Sequence, residues 1–372
     1  IALTCAKACP VNVLCEGACV YHDKGEEPIQ IGRLQRYVMD WYVERGMPTL
    51  FTPTPKNGKS VGVIGGGPSG LACAAELSLM GYDVTMYEAK HHAGGLDTHG
   101  IAPYKMKQQD SFNEVKMVEK LGVTIKTNVS VGESISIDEL TKKHDALFLG
   151  VGLKSPTRLG IPGEELSGVH DALTFIEKVT TRKWSTVDVG KRVAVIGAGN
   201  TAIDAVTEAK RLGAEQVSII YRRSREEMSA YDFEYELAKS DGANFYFSTV
   251  PTRIIGKSHV EALECVQVKY SAADTEGRRT LQPIPNTEFR IPVDMVIKAV
   301  GQRVEKSFID SIPNLKTKNG NVVVHETTMQ TSNPKFFAGG DCINGGKEVV
   351  NAAADGKKAA HGIDGFIFGN KK

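Results

Sequence analysis

With 372 residues, 41% of them hydrophobic, the chain is long enough for two or three domains with ordinary cores. Its 45 basic and 44 acidic side chains leave a formal charge of +1, so no long-range field draws it to nucleic acid or to an anionic membrane surface. No apolar run approaches the roughly 20 residues of a membrane span, no secretory signal is legible, and the first residue is Ile1 rather than Met. The expectation is a cytoplasmic protein whose natural N-terminus lies upstream.

Four of the seven cysteines come first in the chain: Cys5, Cys9, Cys15 and Cys19, spaced C-x3-C-x5-C-x3-C, with Pro10 after the second. Steps of four put Cys5 with Cys9, and Cys15 with Cys19, on one face wherever those turns are helical. Thiolates gathered in this way bind an iron–sulfur cluster or zinc, or pair as disulfides. A cytosolic setting disfavours disulfides, and zinc sites use tighter C-x2-C steps. An iron–sulfur cluster therefore leads, with zinc and disulfides left open. Pro28-Ile29-Gln30-Ile31-Gly32 then enters a helix expected over 33–45, with Leu34, Val38, Trp41 and Tyr42 as its apolar side. A linker rich in proline and threonine, from Pro48 to Pro55, closes this module.

Residues 59–90 read KSVGVIGGGPSGLACAAELSLMGYDVTMYEAK. The apolar run Val61-Gly62-Val63-Ile64 is a strand that stops at Gly65, Gly67 and Gly70, in the pattern G-x-G-x-x-G. A helix with Leu71, Ala74, Ala75, Leu77 and Leu79 on or near one face follows, then the strand Val84-Thr85-Met86-Tyr87, ending at Glu88. Each piece has a physical use. The first glycine makes the tight turn, the second lets a pyrophosphate reach the backbone, and the third lets helix and strand pack closely. The helix N-terminus presents free N–H groups to phosphate charge. A carboxylate at the second strand's end accepts hydrogen bonds from a ribose diol, which assigns that role to Glu88. The pattern predicts dinucleotide binding.

Beyond Glu88 come Gly94-Gly95-Leu96, a helix over 108–121, a strand at Val123-Thr124-Ile125 and a buried strand over 145–152. The chain leaves the first dinucleotide domain at that last strand. The glycine turn then recurs. Arg192-Val193-Ala194-Val195-Ile196 is a strand, and Gly197, Gly199 and Ala202 give G-x-G-x-x-A before a helix over 200–212 and a strand over 216–221. Where the first copy ends in Glu88, this one ends in Tyr221-Arg222-Arg223-Ser224-Arg225. A carboxylate would repel a 2′-phosphate, whereas guanidinium groups clamp one. The second site should therefore prefer the phosphorylated nicotinamide cofactor. Alternation over 243–249 and 260–270 suggests an antiparallel excursion before the apolar strand over 294–301. Finally, Phe336-Phe337-Ala338-Gly339-Gly340 delivers Asp341 to a glycine-bounded loop ahead of a helix carrying Val349, Val350 and a run of alanines. A carboxylate there can hold a ribityl hydroxyl. The histidines His91, His92 and His99 read as hydrogen-bonded surface groups, and Cys73 and Cys265 as packing. Cys342 lacks the C-x-x-C partner of a dithiol relay.

Taken together these motifs resemble the flavin-dependent pyridine nucleotide oxidoreductases, in the branch of the glutamate synthase small (beta) subunit and the NAD(P)H-oxidising part of dihydropyrimidine dehydrogenase. The residues that carry the resemblance are Cys9-Pro10, Cys15-Glu16-Gly17-Ala18-Cys19, Ile31-Gly32-Arg33-Leu34-Gln35-Arg36, the two glycine turns, Gly94-Gly95-Leu96 and the loop ending at Asp341. The resemblance implies an α/β chain with two Rossmann-like FAD/NAD(P)-binding domains of the glutathione-reductase kind, preceded by a short helical, ferredoxin-like iron–sulfur module that looks N-terminally truncated. The domains are expected at 1–52 for the iron–sulfur module, 53–157 with 302–372 for FAD, and 158–301 for NAD(P)H.

By position, the resemblance gives FAD contacts to Gly65, Gly67, Ser69, Glu88, Leu96, Lys105, Val131, Gly340, Asp341 and Val349. It gives NADPH contacts to Gly199, Asn200, Thr201, Arg222, Arg223, Ala299 and Gly301. In the pyrimidine dehydrogenase pattern one [4Fe-4S] cluster takes ligands matching Cys9, Cys15 and Cys19 plus one from upstream, and another takes a glutamine matching Gln35. Two clusters cannot be completed from Cys5, Cys9, Cys15 and Cys19 alone, so the chain is expected to hold no cluster, or one that enlists Cys5. The loop Ala102-Pro103 departs from the Ile-Pro order usual beside the residue matching Lys105.

The implied reaction is hydride transfer from NADPH to FAD, with electrons leaving through iron–sulfur centres to a catalytic partner subunit. The cofactors carry this chemistry, so no protein acid or base is nominated. Gln35 favours the dihydropyrimidine dehydrogenase type. The glutamate synthase type is the alternative, and a non-catalytic flavoprotein scaffold or redox sensor the reading from another class.

Overall fold

The computed structural model describes residues 2–272 and 279–369. The chain forms two units. One is built from the residues up to His99, Pro103–Ser155 and everything from Gln302 onward; the other consists of Gly100–Ala102 and Pro156–Gly301.

In the first unit five strands lie parallel, in the order Phe336–Ala338, Ala146–Leu149, Ser60–Ile64, Asp83–Tyr87 and Thr124–Lys126. Val61, Val63, Leu147, Phe148 and Phe337 are wholly buried, as expected of parallel strands covered on both faces, which read as continuous apolar runs. Helix Pro68–Leu79 carries its proline at the first helical position, where the missing N–H costs nothing. It packs against the C-terminal helix Val349–Phe368 so closely that a Cβ on Gly356 would stand 2.1 Å from the Ser69 carbonyl oxygen. Glycine and alanine are what permit this approach.

The cysteine-bearing segment belongs to this unit. Helix Cys5–Ala8 and helix Ile31–Glu44 enclose a small core of Leu3, Ala6, Met39, Tyr42 and Met47, against which Met117 of helix Gln108–Lys120 packs. The proline–threonine stretch that follows runs beside the first unit, with the Thr54 and Asn57 amides donating to the Leu79 and Gly81 carbonyls.

The second unit repeats the architecture. Its parallel order is Val169–Asp171, Met295–Lys298, Arg192–Ile196, Gln216–Ile220 and Asn244–Tyr246. Here the alternation over 243–249 misled. Asn244–Tyr246 is the outer parallel strand, returned to the sheet by the crossover helix Asp232–Ser240. The antiparallel excursion begins only at Thr249–Gly256, beyond a turn at Ser248 with φ +49°, and continues through Val260–Tyr270, Leu281–Pro283 and Phe289–Pro292. Period-two alternation marks a half-buried strand but not the direction of its partner.

Candidate functional site

At the first glycine turn the backbone is shaped by what it touches. Gly65 has φ +99°, and a Cβ there would lie 2.3 Å from the Gly150 carbonyl oxygen. A Cβ on Gly70 would lie 2.1 Å from the Gly65 oxygen, whereas Gly67 has nothing nearer than the Gly95 Cα at 3.7 Å. The first and third glycines are thus fixed by packing, and the second leaves open backbone for a ligand. Glu88 is 9% exposed. Its Oε2 accepts the Gly66 amide and its Oε1 the Lys90 amide, both at 2.8 Å. Each oxygen keeps a further lone pair for a diol.

Two other loops close on this turn. The Gly94 amide donates to the Gly66 carbonyl at 2.7 Å, which seats Gly95 and Leu96 beside Gly67. A Cβ on Gly340 would meet Ser69 Oγ at 2.8 Å, so the Asp341 loop lies on the opening of helix Pro68–Leu79. Burial pushes the Asp341 carboxyl above the usual range, while the Lys347 amide hydrogen-bonds it at 3.2 Å. Gly65, Gly67, Ser69, Glu88, Leu96, Gly340 and Asp341 therefore surround one cradle. Val131 follows a segment tied to Glu88 by the Val129 amide at 2.9 Å. Val349 opens the C-terminal helix. Lys105 lies on a separate loop, 5.7 Å from the Tyr104 ring centre. Sequence reasoning missed Asp355, whose Oδ2 accepts the Gly340 amide at 3.1 Å and holds this loop. An aspartate in the second turn of an alanine-rich helix gives no sequence signal of that.

The second turn follows the same logic. Gly197 has φ +122°, and a Cβ there would strike the Ala299 carbonyl oxygen at 2.2 Å. The Ala299 amide donates to the Ile196 carbonyl at 2.8 Å. Asn200 Oδ1 accepts the Tyr231 amide at 3.1 Å, and the Ala230 amide reaches the Ala198 carbonyl at 3.2 Å. The segment around Tyr231, which the sequence did not single out, thus lies over the turn containing Gly199, Asn200 and Thr201. Gly301, with φ +91°, closes the strand end. Just before Ala299, the Lys298 ammonium is held by Glu164 at 2.9 Å and Asp171 at 3.1 Å. Burial alone would raise the Glu164 carboxyl, but Lys298 and the Leu159 and Gly160 amides outweigh it and hold the group below its ordinary value.

The three arginines at this strand end are not equivalent. Arg222 and Arg223 are exposed, whereas Arg225 is spent on Asp232 at 2.6 Å and on the Tyr235 ring at 4.0 Å. That leaves Arg222 and Arg223 to meet an anion.

In the N-terminal segment Cys5 and Cys9 sit side by side. The shared thiol hydrogen bond raises Cys5 well above its ordinary value and lowers Cys9, with the nearby Val350 amide lowering Cys9 further. Among the described residues no three His, Cys, Asp or Glu side chains converge as metal ligands. Cys15 and Cys19 do not join the pair, and Gln35 is exposed on helix Ile31–Glu44 beside Leu34, Tyr37 and Val38. A cluster is thus not framed by these residues alone. Cys73, Cys265 and Cys342 are each wholly buried. His99 is buried too, contrary to the surface role expected of it, and its Nε2 lies 3.0 Å from the His92 carbonyl oxygen.

Comparison with known proteins bears on this geometry. Residues 59–356 match the family model described as pyridine nucleotide-disulphide oxidoreductase, and residues 1–47 match dihydropyrimidine dehydrogenase domain II, 4Fe-4S cluster. The chain is 36% identical to the NADP(+)-dependent formate dehydrogenase subunit beta of Moorella thermoacetica, over 92% of this chain but only 52% of that one. It therefore spans about half the length of that relative. It is 34% identical to the glutamate synthase [NADPH] small chain of Escherichia coli K12, over 98% of this chain and 80% of that one. Among solved structures, Mycobacterium tuberculosis FprA in complex with NADPH superposes with a TM-score of 0.69 at 22% identity, over 86% of each chain; that likeness is one of fold.

Proposed function

The chain belongs to the pyridine nucleotide-disulphide oxidoreductase family, and from that premise we propose that it is an NADPH-oxidising flavoprotein subunit that feeds electrons to a catalytic partner. The observation that carries the reading is the opposite chemistry of two otherwise matching turns. Glu88, held by the Gly66 and Lys90 amides, suits the ribose of a bound FAD, and the exposed pair Arg222 and Arg223 suits the 2′-phosphate of NADPH. Bound FAD supplies the hydride acceptance. The protein's share is to seat the pyrophosphate on the turn from Gly65 to Gly70, to fix the Asp341 loop through Asp355, and to discriminate between nicotinamides at Arg222.

Two readings of the partner have support. The length and extent of the match to the glutamate synthase small chain favour a glutamate-forming partner. Gln35, within the segment resembling dihydropyrimidine dehydrogenase domain II, favours a pyrimidine-reducing one. The domain match also supports an iron–sulfur role for the N-terminal module, although the Cys5–Cys9 pair alone supplies two ligands and a cluster requires more. Anaerobic addition of NADPH to the flavin-loaded protein should bleach its visible absorbance within the mixing time. Failure of both NADPH and NADH to bleach it would leave a non-catalytic flavoprotein. Co-purification with either kind of partner separates the two remaining readings.

A further inference from the structure

The turn that carries the arginines is braced from outside its own sheet. Strand Gln216–Ile220 leads to Tyr221, and the chain passes through Arg222 and Arg223 into the short helix Arg225–Glu227. The turn closes on itself, the Tyr221 hydroxyl donating to the Glu227 carbonyl at 2.7 Å. The antiparallel excursion holds it at three points. The Thr249 amide donates to the Tyr221 carbonyl and the Ser248 amide to the Arg223 carbonyl, each at 3.0 Å, so the main chain is fixed on both sides of Arg222. The third point is a side chain. The hydroxyl of Tyr270, last residue of strand Val260–Tyr270, donates to Glu227 Oε1. Glu227 Oε2 accepts the Ser224 amide at 3.3 Å. The Tyr270 hydroxyl foremost, then the Ser224 amide and the Arg223 charge, hold the Glu227 carboxyl below its ordinary value, so it is an ionised acceptor at neutral pH. Arg222 and Arg223 are long and exposed, so the backbone that carries them decides where their guanidinium groups can reach.

We propose that Glu227 is the positioning residue for the 2′-phosphate: pinned by Tyr270, it fixes the turn from which Arg222 and Arg223 reach the anion. This role rests on the NADPH site proposed at the second turn, and it gives the antiparallel excursion a part in nicotinamide choice. Charge works against Glu227 here, because a carboxylate near Arg223 opposes a second anion. What it contributes is position. A turn already ordered before binding spares the ligand the cost of ordering it.

The test is calorimetric titration of the flavin-loaded full chain with adenosine 2′,5′-bisphosphate and with 5′-AMP, which lacks only the 2′-phosphate. Glu227→Ala removes both side-chain bonds and should weaken the bisphosphate about tenfold, the low end for hydrogen bonds to a charged group, while 5′-AMP stays within about twofold. Tyr270→Phe leaves the carboxylate in place and should shift the bisphosphate in the same direction. The double variant should lose no more than Glu227→Ala alone, since both changes break the same bond. Glu227→Gln discharges the group but keeps an oxygen for the Ser224 amide and an NH2 for the Tyr270 oxygen; it should weaken the bisphosphate by no more than about twofold. Bisphosphate binding unchanged or tightened in Glu227→Ala would overturn the proposal, since loss of the charge alone predicts tightening. Equal losses for the two probes would also overturn it, as would a loss in Glu227→Gln as large as in Glu227→Ala. If the unaltered chain bound both probes equally, the NADPH reading itself would fall, and the role of Glu227 with it. The titrations need no flavin reduction, so the two failures are told apart by the unaltered chain.

Discussion

Single side chains divide the labour at the two turns. Arg222 is exposed and Arg225 is tied to Asp232, so nicotinamide choice should rest on the first. Arg222→Ala should raise the KM for NADPH by about 10–100-fold, the worth of a charged hydrogen bond, and leave that for NADH within about threefold. Equal losses for the two cofactors, in steady-state assays, would defeat this account. His144 supplies a pH dependence of stability. Its ring is 4% exposed, and its Nε2 is hydrogen-bonded to the Tyr87 hydroxyl at 2.9 Å. Burial, then Lys143 and Lys335, push its pKa down to about 4. A histidine depressed on folding stays neutral while the unfolded chain takes up the proton. Its contribution is therefore intact above the ordinary value near 6.5 and is lost as pH falls toward 4, on the order of 3 kcal/mol. Melting temperatures of the unaltered chain and of His144→Gln should converge as pH falls from 7 to 4; parallel curves would show that the ring is not the titrating group.

Among the elements, helix Pro68–Leu79 and helix Val349–Phe368 pack with little slack. A Cβ at Gly356 would meet backbone, the Ser69 oxygen at 2.1 Å and the Cys73 nitrogen at 2.9 Å, and backbone cannot rotate away as a side chain can. Gly356→Ala should cost about 1–3 kcal/mol, read as a lowered denaturation midpoint. Because Ser69 also touches the Gly340 loop, the same variant should retain less flavin after gel filtration. Full flavin content with unchanged stability would contradict the contact. At the level of strands, apolar runs and glycine stops told where elements lie. They did not tell partner direction, which is why the alternation over 243–249 suggests an antiparallel excursion where Asn244–Tyr246 pairs in parallel.

At the scale of the whole molecule, the two units carry the same parallel design, and the cysteine segment is packed within the first. Purified chain, assayed for iron and acid-labile sulfide, should contain fewer than the eight irons that two [4Fe-4S] clusters need, since only Cys5 and Cys9 meet among the described residues. Two full clusters would refute this ligand set. No helix among the described residues is long and apolar enough to cross a membrane. The sequence by itself determined the repeated strand–turn–helix–strand units, the glycine positions and the contrast of Glu88 with Arg222, because these are local patterns whose spacing is set by backbone geometry. Only the tertiary structure decided which loops close on each turn, that Asp355 and Tyr231 hold them, that Arg225 is spent, and that Thr4 and Glu114 meet. Those contacts join residues far apart in the chain, and nothing in a one-dimensional pattern encodes which of many equivalent polar side chains will be buried together.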